Sequence, residues 1–239
     1  HVAPGALDMV RDTLVSTRLS EGAKVKAFEA ALAEQLGLAR PAAVNSGTTA
    51  LHLALVVAGV GPGDEVIVPA QTFIASALVV LQCGARVVFA DIDPATGNLD
   101  PADLSRRITE RTKAVIPVHW SGMPCDMDEI QALRAPQGIA VVEDAAHALG
   151  ARYRGRAVGA LARFTAFSFQ AIKHVTTGDG GAVCCTDPAD ADQVFRRRWF
   201  GIDRARSPVG ELGERDYDLT DVGFKYHLND YAAALGLAN

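Results

Sequence analysis

Short apolar runs alternate with helix-like segments along the first part of the chain, and this alternation limits the fold more than any other feature. The runs are Ala42–Val44, Glu65–Pro69, Arg86–Ala90, Ala114–Val118 and Ile139–Glu143. Strands of a parallel sheet read as continuous apolar runs because helices cover both of their faces. We therefore expect an α/β fold, a three-layer sandwich around a mostly parallel central sheet.

Helical patterns lie before and between these runs. The predicted helices are Ala23–Leu36, Ala50–Val57, Phe73–Gln82 and Asp126–Ala135. In the first of them apolar residues recur at helical spacing, and Gly37 supplies a stop signal. These helices are expected to pack against the sheet.

The pattern changes after Asp144. Phe164–Phe169 and Gly178–Cys185 predict strands that pair more locally, which makes the sheet mixed. Arg204–Asp218 is polar and turn-rich and predicts an exposed excursion before a helix at Tyr231–Leu237. The sequence stops inside that helical pattern without a capping residue, so we expect a natural C-terminal segment to be missing from it.

Composition narrows the class of protein. The chain has 239 residues, 49% of them hydrophobic and 21% charged, which fits one large globular domain and excludes a disordered chain. A net charge of −5 with scattered basic residues argues against nucleic-acid binding. The apolar stretch Ala75–Leu81 is far shorter than the roughly 20 residues of a membrane span. Four cysteines without a C-x-x-C spacing favour free thiols and a cytoplasmic location.

Two junctions between a strand and the following segment carry candidate chemistry. Ser46-Gly47-Thr48 connects an apolar strand to a helix, where free N–H groups and the helix dipole favour a phosphate. The alternative is a simple N-cap without a ligand. Asp144 follows a fully apolar strand, and a buried carboxylate needs a cationic partner such as a pyridinium nitrogen, although it could equally be an N-cap.

Lys173 lies between an apolar strand and the glycine-rich turn Gly178–Gly181. A lysine held where water is scarce has a lowered pKa and can condense with a carbonyl. A surface lysine whose ammonium reaches solvent is the alternative interpretation, and the flanking Ser168 and glycine-rich turn favour the reactive one.

Six motifs in order resemble the DegT/DnrJ/StrS family of sugar aminotransferases, which depend on pyridoxal phosphate (PLP). They are Gly22 with Phe28-Glu29, Asn45–Leu51, Thr72–Ala75, Glu143–His147, Phe167–Phe169 with Lys173 and Thr176–Gly181, and Gly223–Asp230. The resemblance covers nearly the whole chain. It implies the aspartate-aminotransferase fold (fold type I), with residues 1–239 forming the PLP-binding large domain and the smaller C-terminal domain missing.

The resemblance also implies roles for single residues. Lys173 resembles the lysine that binds the cofactor covalently and moves the proton, and Asp144 the carboxylate that pairs with the ring nitrogen. The remaining cofactor-binding positions are His147 at the ring oxygen, Phe73 on the ring face, and Gly47, Thr48 and Ser168 at the phosphate. Lys225 stands where the family commonly has Asn, a position that reaches the cofactor phosphate of the partner subunit. No metal is implied.

The implied reaction moves an amino group, with glutamate as the expected donor, to a keto group of a nucleotide-linked deoxy sugar. PLP would alternate with pyridoxamine phosphate (PMP), and a homodimer with shared active sites would be the working unit. Amination of a keto-cyclitol and a non-catalytic, PLP-binding regulatory role remain alternatives. Lys173 argues against the related sugar dehydratases, in which His replaces that lysine.

Overall fold

The computed structural model describes residues 2–134, 138–203, 206–217, 219 and 221–239. Its helices are α1 (Ala6–Val15), α2 (Ala23–Leu36), α3 (Gly47–Val57), α4 (Ile74–Gln82), α5 (Pro101–Arg107), α6 (Met127–Arg134), α7 (Pro188–Arg197) and α8 (Asp230–Ala238). Its strands are β1 (Ala42–Val44), β2 (Glu65–Pro69), β3 (Arg86–Ala90), β4 (Thr112–Val115), β5 (Ala140–Asp144), β6 (Arg152–Tyr153), β7 (Arg156–Ala157), β8 (Phe164–Ser168) and β9 (Gly181–Cys185).

Seven of the described strands form one sheet in the order β1-β9-β8-β5-β4-β2-β3. Strands β3, β2, β4, β5 and β8 pair in parallel, whereas β9 is antiparallel to both β8 and β1. Within this sheet β9 therefore runs against all the others. This confirms the mostly parallel, mixed sheet and the local pairing predicted after Asp144.

Helices cover both faces of the sheet. Along β2, Val66 and Val68 contribute to a core cluster shared with α3 and α4, while Ile67 belongs to a cluster on the opposite face that includes Ile130 of α6. Phe28 of α2 lies in a further cluster, which also contains residues of α8. The three-layer sandwich is confirmed.

Three helices were not expected from the sequence: α1, α5 and α7. Two of them begin with the same local device. Asp100 accepts the N–H of Ala102 before α5, Asp187 accepts the N–H of Ala189 before α7, and a proline opens each helix. The dipeptide Asp-Pro is typical of a helix N-terminus, because the aspartate caps the helix and proline has no N–H that would be left unpaired there.

Several predicted bounds shift. Strand β4 is Thr112–Val115 rather than Ala114–Val118, since Pro117 has no N–H to donate to a neighbouring strand, and Val118 forms only an isolated bridge with Asp144. Helix α4 begins at Ile74, so Phe73 is its N-cap. Ala135, at the end of one predicted helix, lies outside the described residues.

The predicted excursion Arg204–Asp218 is only partly described, because Arg204, Ala205 and Asp218 lie outside the described residues. Those of its residues that are described are mostly exposed, as expected. Within the described part of the chain, none of the helices has the length and apolar character needed to cross a membrane.

Candidate active site

A cleft of about 470 Å³ opens where β5 and β8 end and where α3 and α4 begin. Ligands of open α/β sheets bind at the carboxyl ends of the strands. The cleft is lined by seven of the eight predicted site residues: Gly47, Thr48, Phe73, Asp144, His147, Ser168 and Lys173. Segments that are far apart in sequence are thus brought to one place.

The N-terminus of α3 forms one wall of the cleft. Ser46 accepts the N–H of Thr49 at 3.1 Å, and the Thr49 hydroxyl accepts the N–H of Ser46 at 3.2 Å, which completes a capping box. Ser46 is therefore the N-cap of α3, and a phosphate at the N–H groups that follow it stays a prediction. The N–H groups of Gly47 and Thr48 find no acceptor among the described residues, as expected in the first turn of a helix, and they lie on the cleft.

Asp144 is the last residue of β5 and is 6% exposed. Its Oδ2 accepts the hydroxyl of Ser76 at 2.7 Å, and its Oδ1 accepts the N–H of Ala146 at 3.2 Å. Within the described part of the chain, no Lys or Arg nitrogen makes an ion pair with this carboxylate. A nearly buried carboxylate with only neutral partners is suited to a cation that enters the cleft.

Lys173 lies in the loop between β8 and β9 and is half-buried. Burial lowers the pKa of its amine below the usual value, and the nearby Asp144 carboxylate opposes part of that shift. A lowered pKa leaves more of the amine neutral and nucleophilic at neutral pH. The reactive role of Lys173 stays a prediction at this point.

Phe73 and His147 both contribute ring-shaped side chains to the cleft. Phe73 is 72% exposed although it is a large apolar residue, so its ring is not part of the core. His147 is half-buried, and its pKa is lowered by burial and by the nearby Lys173. An exposed phenylalanine on a cleft wall is available to a flat ligand.

Lys225 is not part of this cleft. Its ammonium lies 3.7 Å from the centroid of the Trp199 ring and 5.3 Å from that of Phe200. Its backbone carbonyl accepts the side-chain amide of Asn45 at 3.3 Å. The eighth predicted site residue therefore lies apart from the other seven in a single copy of the chain.

A model of the DegT/DnrJ/EryC1/StrS aminotransferase family matches residues 3–239. The chain belongs to this family. The resemblance derived from the six motifs is thereby confirmed.

Relatives within the family are similar over the whole chain. GDP-perosamine synthase of Caulobacter vibrioides is 45% identical over 97% of this chain and 60% of its own length. The crystal structure of AtS13 from Actinomadura melliaura is 40% identical, with a TM-score of 0.93, over 100% of this chain and 65% of its own. Spr1654 from Streptococcus pneumoniae, solved in a PLP form, is 33% identical with a TM-score of 0.87, over 99% of this chain and 65% of its own. The chain thus spans about 60% of the length of the curated relatives it matches.

The cleft residues fit the family's cofactor, PLP. A Cβ added to Gly47 would come within 2.9 Å of the Ser168 Cβ and 3.3 Å of its hydroxyl, so only glycine leaves this cradle open beside the free N–H groups. Asp144 could pair with a protonated ring nitrogen, and Lys173 could reach an aldehyde. Each part of the cofactor thus has a chemically matched group in the cleft.

Several residues that support the site were not found from the sequence. At the wall of the cleft, His119 Nε2 lies 3.1 Å from a Glu143 carboxylate oxygen, and both side chains are fully buried. The N–H of Cys125 donates to Nδ1 of this ring, which places the ring proton on Nε2. Thr165 donates to the second oxygen of Glu143 at 2.5 Å. The apolar residues around Glu143 in the sequence were the one signal that its carboxylate is buried. Its partners lie on another strand and in a loop, so the sequence did not identify them.

A second cleft, of about 560 Å³, lies between α2 and α7 and contains none of the predicted site residues. Its charged groups largely neutralise one another. Arg198 pairs with Glu21 at 2.7 Å and with Glu29 at 2.5 Å, and Arg196 pairs with Asp221 at 3.2 Å. This region is built as an ion-pair network rather than as a cofactor site.

Proposed function

We propose that this chain forms the PLP-binding domain of an aminotransferase that moves an amino group from glutamate to a keto group of a nucleotide-linked deoxy sugar. One observation carries the proposal: the amine of Lys173 and the carboxylate of Asp144 face one cleft beside the open N-terminus of α3. The similarity to GDP-perosamine synthase supports a nucleotide sugar as the acceptor.

The chain's own groups hold and orient the cofactor. The N–H groups of Gly47 and Thr48 and the hydroxyl of Ser168 would bind the phosphate, where the helix dipole adds to the hydrogen bonds. Phe73 would pack against the ring, and His147 would contact the ring oxygen. When bound, PLP supplies an electron sink for the bond that is broken at the substrate carbon.

Asp144 and Lys173 divide the acid and base chemistry. The Asp144 carboxylate would accept a hydrogen bond from a protonated ring nitrogen and keep it charged in a nearly buried place. Lys173 Nζ would hold the cofactor covalently, and as a free amine it would take and return a proton at the substrate carbon. Its lowered pKa brings the amine nearer to neutral pH, where one group can serve both as base and as acid.

A homodimer with shared sites is part of the proposal. Lys225 is exposed and lies outside its own cleft, and its ammonium is held against Trp199 by a cation–π contact. A lysine fixed in this way at the surface is suited to reach the cofactor phosphate of a second copy, as an ion pair where Asn would make a neutral hydrogen bond. A cytoplasmic location is likewise proposed, since all four cysteines are free thiols.

Visible absorbance tests the reaction. We expect the chain to develop a visible band when PLP is added, and to lose it when excess glutamate is added. A nucleotide-linked keto sugar should then restore the band and yield an amino sugar that mass spectrometry detects. A band that no amino donor changes would instead establish the regulatory alternative, and restoration only by a keto-cyclitol would replace the sugar as acceptor.

Variants of Lys173 provide the matched control for this test. Lys173→Arg keeps a positive charge but cannot condense with an aldehyde, because the guanidinium stays protonated. We expect neither Lys173→Arg nor Lys173→Ala to develop the band of the unmodified chain. Exposed Lys113, changed to Arg, should leave the band unaltered. Turnover retained in Lys173→Ala would remove Lys173 from its assigned role.

A further inference from the structure

A line of hydroxyl groups joins the start of α4 to the cleft carboxylate. The Thr72 Oγ1 lies 2.7 Å from the Ser76 Oγ, and the Ser76 Oγ lies 2.7 Å from Asp144 Oδ2. Ser76 is fully buried, and Asp144 is 68 residues away in sequence. The line therefore connects two elements of the fold through side chains alone.

The hydrogen bonds in this line have a defined direction. A carboxylate only accepts hydrogen bonds, so Ser76 must donate its single proton to Asp144. The Ser76 oxygen is then an acceptor, and Thr72 must donate to it. Each hydroxyl thus polarises the next one towards the carboxylate.

Ser76 lies in the first turn of α4, and the residue four positions earlier, Thr72, precedes the helix. The Ser76 hydroxyl donates across to β5 and contacts the side chain, not the carbonyl, of Thr72. It therefore links the start of α4 to the carboxylate at the end of β5.

The same line sets the position of Phe73. Phe73 follows Thr72 directly and is 72% exposed, so packing of its own ring does not hold it in place. Its placement depends on the backbone at the start of α4, where the Ser76 N–H donates to the Phe73 carbonyl at 3.2 Å. A hydrogen bond from Ser76 to β5 therefore fixes Phe73 relative to Asp144.

We propose that Ser76 is a positioning residue that, together with Thr72, locks the Asp144 carboxylate and the Phe73 ring into one relative geometry. The inference rests on the proposed PLP site, where these two groups would meet the same ring at its nitrogen and at its face. Ser76 itself does not touch the cofactor, since it lies behind the cleft wall. Its hydrogen bond orients the group that does.

The experiment measures PLP affinity and the pH midpoint of the visible band for four variants of the full chain. We expect Ser76→Ala to weaken PLP binding about tenfold, the size expected for a lost hydrogen bond to a charged group. Thr72→Val should also weaken PLP binding. Ser76→Thr keeps the hydroxyl, so its PLP affinity should be close to that of the wild-type chain. The double variant Ser76→Ala with Thr72→Val should be no weaker than Ser76→Ala alone, because the line is already broken.

A matched control separates positioning from loss of stability. Thr13→Val removes another buried hydroxyl, on α1, where it donates to the Met9 carbonyl at 2.9 Å. We expect Thr13→Val to keep both the affinity and the pH midpoint of the wild-type chain, whereas Ser76→Ala shifts the midpoint. The inference would be overturned if Thr13→Val and Ser76→Ala lost PLP affinity equally, or if Ser76→Ala kept the affinity and the pH midpoint of the wild-type chain. Should Ser76→Ala not fold, an unchanged affinity in Thr72→Val would overturn it instead.

The proposed PLP site and the proposed role of Ser76 can be tested separately. A wild-type chain that forms no visible band with PLP overturns the proposed function and this inference with it. A wild-type chain that binds PLP and reacts with glutamate, while Ser76→Ala matches it in affinity and pH midpoint, overturns only the role of Ser76.

Discussion

Gly47 and Ser168 approach so closely that a Cβ on Gly47 would lie 2.9 Å from the Ser168 Cβ. One residue opens α3, and the other closes β8, so the contact joins the helix N-terminus to the strand end that precedes Lys173. No ordinary side chain fits between them. This closeness creates the narrow cradle that we assign to the cofactor phosphate.

Gly47→Ala should therefore damage the cradle. The added methyl group must displace either α3 or β8, and overpacking of this kind costs about 1–3 kcal/mol of unfolding free energy. We also expect weaker PLP binding, measured by absorbance titration. Gly61→Ala is the matched control, because a Cβ there meets nothing within 4 Å. Equal PLP affinities of the two variants would contradict the assignment of the cradle.

The reactivity of Lys173 should depend on pH in a defined direction. Only the neutral amine condenses with an aldehyde, so covalent attachment of PLP rises as pH passes upward through the pKa of the lysine. Because burial lowers that pKa, the midpoint should lie below the ordinary lysine value of 10.5. Borohydride trapping followed by mass spectrometry measures it. Lys113, which is exposed, serves as the internal reference, and a midpoint for Lys173 at or above that of Lys113 would refute the prediction.

Asp144→Asn should keep the shape of the cleft and remove its charge. Without the carboxylate, a protonated ring nitrogen would be left buried and unpaired, and breaking a buried pair costs about 3–5 kcal/mol. We expect turnover to fall by more than about a hundredfold. The exposed Glu34→Gln controls for the loss of one negative charge. An unchanged rate in Asp144→Asn would show that the pairing is misassigned.

Mixing two variants, each of which lacks one of two lysines, tests whether Lys225 acts across a dimer. Lys173→Ala lacks the reactive amine, and Lys225→Ala lacks the exposed ammonium. A mixed dimer of the two contains one cleft that has its own Lys173 and the Lys225 of the other copy. If Lys225 serves the other copy, PLP affinity should return to the wild-type level in about half of the clefts of such dimers.

A different result is expected if Lys225 does not act across the dimer. If Lys225 acted on its own copy, the mixed dimer would have no complete site, and affinity would stay low. A chain that remains monomeric during sedimentation would also exclude shared sites. Lys225→Asn should behave almost as the wild type, because an amide can still donate to phosphate, although it does so without charge.

The sequence by itself determined the class of the fold and most of the site. Parallel strands that are buried on both faces appear in the sequence as continuous apolar runs. The residue that follows such a run lies at the carboxyl end of the strand, whatever the position of the strand in the sheet. Asp144 and Gly47 could be placed for this reason, whereas the position of Ser168 came from the resemblance to the family. Helices α5 and α7 also begin with a local sequence pattern, Asp-Pro, that is typical of a helix N-terminus.

Only the tertiary structure decided which side chains meet. The contact of Ser76 with Asp144 and that of His119 with Glu143 depend on the packing of α4 and of the loop after β4 against β5, and no sequence spacing encodes them. Lys225 was placed outside its own cleft by the same long-range packing, through its contact with Trp199. Local patterns fix strands, caps and turns because they depend on neighbouring residues, whereas partners that are tens of residues apart are chosen by how the whole sheet and its helices fit together.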